Sequence, residues 1–251
     1  MLFYYPRIFF LVSLLVLWLA AQLGTYFRRR RPLKEEERDD FNVVEAATLT
    51  LLGLIVGFSF SMASTRYDQR KNLEEEEANA IGTEYVRAGV LPAADAAGVR
   101  AQLRRYLDLR LRFYQTRDRQ ELQRIDADTA RLQMEMWSAV QAPAVAKPTP
   151  VIALAVGGMN DVLNSQGYTQ AAWRNRIPGS AWALMMLIAV CANLLVGFGA
   201  RSGGLRSALL LVVPLVISIA FLLISDIDSP RKGFIHVVPQ NLVSLAQSLS
   251  K

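Results

Sequence analysis

One cysteine and one histidine occur in 251 residues. Cys191 cannot close a disulfide within the chain, and with His236 it makes no thiolate–imidazole cage for a metal. Lying inside an apolar run, Cys191 reads as a small apolar filler. No glycine-rich nucleotide loop, no G-x-S-x-G and no clustered metal-ligand pattern is present, so an enzyme has no motif to stand on. His236, within Phe234-Ile235-His236-Val237-Val238, reads as an interfacial or core residue rather than a catalytic base. No cofactor and no metal are expected. Alternating strand patterns are also missing. No proline falls between Pro32 and Pro92, so nothing breaks a helix over that stretch.

What is present is segregated. The chain is 52% hydrophobic and 20% charged, and the two kinds of residue alternate in blocks. That distribution belongs to a multi-pass membrane protein with a polar domain. The formal net charge of +6 does not point to nucleic acid. Many arginines flank apolar spans, where they anchor against headgroups, and no nucleic-acid recognition motif accompanies them.

The first apolar block runs from Leu2 to Phe27 and is followed at once by Arg28-Arg29-Arg30-Arg31. It is too long for a signal-peptide core, and the trailing charge favours a retained anchor. After a charged loop, a second span covers about Val43 to Ser64 and runs on into charged helical sequence. Spans three and four are expected at about Gly179 to Gly199 and Leu205 to Ile224, joined by a tight turn from Arg201 to Arg206. Between them, helices are expected near 66–90, 94–117, 119–141 and 151–175, with breaks at Leu91-Pro92 and in the Ala142–Pro150 stretch. The expected fold is all-α: four transmembrane helices as two hairpins, with a helical extramembrane domain inserted between spans two and three. Its divisions are 1–64 (first hairpin), 65–177 (helical domain continuous with span two), 178–225 (second hairpin) and 226–251 (a segment packing near the membrane exit).

Span two carries two stripes. Ala46, Thr50, Gly53, Gly57, Ser61 and Ser64 recur at three- and four-residue steps, a small-residue face that lets helices pack closely in lipid. Leu51, Ile55, Phe58 and Met62 form a bulky stripe. It reads either as lipid contact or core packing, or as a hydrophobic pore constriction that gates by dewetting. Glu45 stands near the start of the span, where a carboxylate is either functional or interfacial. Glu74 to Glu77 read as a solvated helix face balanced by Arg70 and Lys71 at i,i+4 spacing, with Glu77 facing inward and needing a partner. At the membrane exit, Arg66, Asp68, Arg70, Asp226, Asp228 and Arg231 are expected to form ion pairs.

Two segments carry a likeness. G-F-x-x-S-M-A-x-x-R-Y-D-x-R followed by E-E-A-N-A-I-G, from Gly57 to Gly82, and D-I-D-S-P-R-K-G from Asp226, with R-I-P before span three, resemble the bacterial bestrophin-like domain family. The resemblance covers about 41 to 247. Bestrophins are pentameric anion channels whose second membrane helix lines the pore. The resemblance therefore implies a homo-oligomeric ion channel in the bacterial inner membrane, with Leu51, Ile55, Phe58 and Met62 at the neck and small ions as partners besides the bilayer. The alternative is a non-conducting scaffold or sensor whose helical domain binds a protein. Asp226 and Asp228 alone do not reproduce the calcium clasp of animal bestrophins. The arginines at 28–31, 201 and 206 would place their side in the cytoplasm by the positive-inside rule, while the resemblance implies a cytosolic helical domain.

Overall fold

In a computed structural model of the chain, residues 5–200 and 206–250 are described, the side chains of 206–209 excepted. Of the turn expected from Arg201 to Arg206, residues 201–205 lie outside the described residues, and Arg206 begins the last apolar helix. The described structure is all-α: α1 (Pro6–Arg30), α2 (Arg38–Arg87), α3 (Ala93–Gln115), α4 (Arg119–Ala146), α5 (Pro150–Arg174), α6 (Gly179–Gly199), α7 (Arg206–Asp228) and α8 (Gln240–Leu249). Four helical stretches are long and apolar enough to cross a membrane; they lie in α1, α2, α6 and α7. The chain forms two compact units, one of residues 5–67 and 176–236, the other of 68–175 and 237–250.

The helix boundaries follow local chemistry. Pro6 opens α1 and Pro150 opens α5, where the missing N–H costs nothing. The Asp118 carboxylate accepts the Gln120 and Glu121 amides at the start of α4, and the Thr149 hydroxyl accepts the Ile152 amide at the start of α5. α4 runs five residues past its expected end at 141. Pro143 lies inside it without ending it, because that position loses only its own donor, and Val140 and Pro143 are both buried.

In the first unit α1 packs on α6 and α7. Phe9, Trp182 and Phe221 meet at its core, with ring centroids 5.0 Å apart for Phe9–Trp182 and 5.9 Å for Phe9–Phe221. Leu17, Leu52, Ala63, Met185, Ala189 and Ile224 complete it. The α1 and α6 backbones touch. A Cβ on Gly24 would run into the Leu194 carbonyl, and one on Gly197 into the Ala21 carbonyl. In a lipid setting such close approach supplies the packing that burial of apolar surface supplies in water. Polar side chains in these helices satisfy themselves on their own backbone: Ser13 on the Phe10 carbonyl, Thr25 on Gln22, Asn193 on Ala189. Arg28 donates to the Phe198 and Gly199 carbonyls at 2.8 and 2.9 Å, capping the C-terminal end of α6.

The second unit packs α3 on α4 and α8, and α4 on α5. Leu103, Leu107, Ile125, Leu132, Met136 and Val162 fill its core. A buried ion pair crosses it. Arg110 of α3 is fully buried and pairs through Nε and Nη2 with Glu77 of α2. Tyr114 and Thr169 each donate a hydroxyl to the same carboxylate at 3.3 Å. The Arg110 guanidinium also sits 4.3 Å from the Phe113 ring centroid, and Trp173 packs on Phe113 and Tyr114. Glu74, one helical turn earlier, accepts the Leu242 amide at 2.9 Å and the Asn241 side chain at 2.7 Å, which holds the start of α8. So the acidic run is divided: Glu75 and Glu76 are solvated, while Glu74 and Glu77 are buried.

Glu84 is the exception. It is fully buried against Gly158, and among the described residues neither carboxylate oxygen has a hydrogen-bond partner. Burial pushes its carboxyl up from 4.5 to about 8, with Arg87 opposing the rise and Asp161 adding to it.

Three outcomes follow from this packing. Gly197→Ala should lower thermal stability in detergent by about 1–3 kcal/mol, the usual cost of overpacking a tight contact, whereas Gly53→Ala, which meets no atom within 4 Å, should leave the isolated chain unchanged. Arg110→Met should cost about 3–5 kcal/mol by stranding the buried Glu77 charge, and Glu77→Gln/Arg110→Met should recover part of that loss in urea unfolding. Because the folded chain holds the Glu84 proton more tightly than the unfolded chain, stability should fall as pH rises from 4.5 to about 8. Glu84→Gln should flatten that slope and melt higher than the parent at about pH 9, as scanning fluorimetry would show.

Candidate functional site

The apolar part of α2 is the least covered of the candidate spans. Only 11% of its window is buried, against 33–44% for the other three. Along the helix, burial follows a single stripe at three-, four- and seven-residue steps: Leu52, Ser59, Ala63, Arg70, Glu74, Glu77, Ile81, Glu84 and Ala88. Off that stripe Ala78 is also buried, Leu49, Ile55, Val56 and Tyr67 are half-buried, and most of the remaining positions are exposed in the single chain.

Both sequence stripes fall on the uncovered side. Phe58 is 63% exposed, and Leu51 and Met62 are also exposed; Ile55 is half-buried and leans on the core of the first unit. Ala46, Thr50, Gly53, Gly57 and Ser61 are exposed, and a Cβ on Gly53 or Gly57 would meet nothing within 4 Å. Within one chain, the tight glycine contact is therefore made by Gly24 and Gly197, not by the G-x-x-x-G of α2. Gly53 lines an apolar groove of about 320 Å³, with Leu49, Leu52 and Val56 on one wall and Val212, Val213, Val216, Ile217 and Ala220 on the other.

At the far end of α7 two carboxylates are fully engaged. Asp228 accepts the Ile177 amide on both oxygens, at 3.2 and 3.1 Å, and lies 3.4 Å from the Arg66 guanidinium. Asp226 accepts the Phe234 and Ile235 amides at 2.8 Å each. Gly233 is required in that turn, since a Cβ there would strike the Asp226 carbonyl. Asp226 is thus a loop staple, and Asp228 is both staple and ion-pair partner. Arg231, in the segment that follows, is half-buried. Asp68 and Arg70 belong to the second unit, Asp68 exposed and Arg70 buried.

Glu45 is half-buried beside Gly199 at the end of α6. Cys191 is exposed on α6 in the single chain. Among the described residues no group of three or more His, Cys, Asp or Glu could hold a metal ion. His236 is exposed, its Nδ1 3.0 Å from the Phe234 carbonyl oxygen. The sequence reading missed the buried roles of Arg110, Glu74 and Glu84. The signal was available in the regular spacing of the α2 stripe, which carries Arg70, Glu74, Glu77 and Glu84 on one face.

Comparison with known proteins places this geometry. A bestrophin homologue from Klebsiella pneumoniae matches with a TM-score of 0.66 and 13% identity over 96% of this chain and 94% of that one. A single-substitution variant of it matches at 0.68, again with 13% identity, over 96% and 93% of the two chains. A structure described as a membrane protein matches at 0.63 and 15% identity, covering 95% of each chain. A search of curated proteins returns no match. A model of the bestrophin-like domain matches residues 9–242. A chain with four candidate spans that fits that model over nearly its whole length is a multi-span membrane protein, and it belongs to the bestrophin-like domain family.

Proposed function

We propose that copies of this chain assemble, as a pentamer, into an ion channel of the bacterial inner membrane with α2 lining the axis. In this reading Leu51, Ile55, Phe58 and Met62 form a hydrophobic neck, and anions are the permeant ions. The observation that supports it is the one-sided burial of α2. A membrane helix that leaves most of its apolar surface uncovered, with Phe58 63% exposed, is suited to neighbours of its own kind on its flanks and to a lumen in front. The small residues Ala46, Thr50, Gly53, Gly57 and Ser61 would let those neighbours approach closely. A ring of bulky side chains excludes water when narrow and admits hydrated ions when it widens.

The same reading pairs spans one with two and three with four as hairpins and takes residues 65–177 as an extramembrane helical domain. Anion preference fits the wider resemblance to bestrophins. It also fits the absence of acidic side chains from the Leu51–Met62 stripe, where a carboxylate ring would select cations.

Purified protein fused into planar bilayers should carry a chloride current. Phe58→Ala should raise conductance or open probability severalfold without changing oligomer size on electron microscopy. A well-formed ring that passes no current would favour the alternative of a membrane scaffold that binds a protein partner. A monomer or dimer would overturn the pentamer.

A further inference from the structure

At one end of α1 and α7 two cations lie stacked on aromatic rings in the open. Tyr5 stands at the entry to α1 and Arg7 in its first turn, while Lys232 and Phe234 follow the last turn of α7. Lys232 Nζ is 3.6 Å from the centroid of the Tyr5 ring, and the Arg7 guanidinium carbon is 4.5 Å from that of Phe234. The rings are not core residues: Tyr5 is 48% exposed and Phe234 66%, and Ile8 and Ile235 are exposed beside them. Among the described residues neither Arg7 nor Lys232 takes part in a salt bridge. The carboxylates nearest in sequence, Asp226 and Asp228, are buried and committed to amide donors.

We propose that this patch docks the headgroup of an anionic phospholipid, with Arg7 and Lys232 on its phosphate. Three features select that occupant. The patch sits where two membrane-spanning helices end, which is the depth of the headgroups, and Tyr5 is of a kind enriched there. Its charge is positive and, among the described residues, in no salt bridge, and a cation held over a ring is oriented while keeping N–H donors for an anion. Its cations are interleaved with exposed Ile8 and Ile235, which suits the boundary between headgroup and acyl chain. A zwitterionic headgroup brings its own cation to two fixed cations and gains less.

The test follows the unfolding midpoint of the full chain in detergent during titration with dioctanoyl-phosphatidylglycerol, dioctanoyl-phosphatidylcholine or inorganic phosphate. Phosphatidylglycerol should raise the midpoint and the other two should not. Arg7→Gln and Lys232→Gln should each weaken its apparent affinity roughly fivefold, and together roughly 25-fold, the weight of one cation each near an anionic surface. Arg7→Lys/Lys232→Arg should bind as the parent does, and so should Arg29→Gln at the opposite end of α1. An equal response to phosphatidylcholine, a response to phosphate alone, or unchanged affinity in the double neutral variant would overturn the proposal. Should the neutral variants fail to fold, the comparison of the two lipids on the parent chain decides it.

Discussion

The structure depends on the one-sided burial of α2. A helix of this length that crosses apolar and polar sequence must present a surface compatible with lipid over one part and with water over another. It does so by concentrating its buried residues along one face between Leu52 and Ala88 and leaving most of the other positions exposed. In the first unit that stripe is small or apolar: Leu52, Ser59 and Ala63 meet the core built on Phe9, Trp182 and Phe221. In the second unit the same face carries Arg70, Glu74, Glu77 and Glu84, all buried. A stripe of fixed spacing whose chemistry changes partway along is the organising feature of the molecule.

Burying that many charges is costly unless each finds partners, and the chain answers with donors drawn from distant sequence. Glu77 takes Arg110, Tyr114 and Thr169; Glu74 takes the first amides of α8; Asp228 takes Arg66 and the Ile177 amide; Asp226 takes two amides from its own loop. Apart from the local bonds of Asp226, each ties residues far apart in the chain to one carboxylate, so these groups act as fixed points of the fold more than as reactive sites. Asp226 and Asp228 have little capacity left for a passing ion. Glu84 breaks the pattern, since it is packed under Gly158 with no hydrogen-bond donor among the described residues, and protonation costs less than burying its charge uncompensated.

Much of this architecture was legible from residue order. Hydropathy blocks located the spans, and proline and glycine located most helix ends, because these depend on local chemistry. The end of α4 was misplaced for a reason that residue order conceals: a proline near a helix terminus costs one hydrogen bond, and tertiary burial of Val140 and Pro143 offsets it. The run Glu74 to Glu77 was read as mostly solvent-facing because adjacent acidic residues usually repel into water. Two of the four are held inside by Arg110 and by α8, partners that lie 33 and about 168 positions away. The glycine pattern of α2 was plain, but its contact was not, since the close α1–α6 pair within the chain uses Gly24 and Gly197 instead.

The distinction between motif and contact also bears on the channel reading. At 13% identity, likeness to the Klebsiella homologue establishes a shared fold and transfers no side chain. What supports a pore is therefore internal to this chain: the surface of α2 is apolar where it is least covered, small on one flank and bulky on another. Lipid alone could cover such a surface, but lipid makes no use of a small-residue flank, because acyl chains adapt to any shape. Another helix does use it, because only small side chains let two backbones approach. The small flank is thus better matched by a protein neighbour than by lipid, and in the proposed assembly the bulky stripe beside it would fall at the seam or lumen.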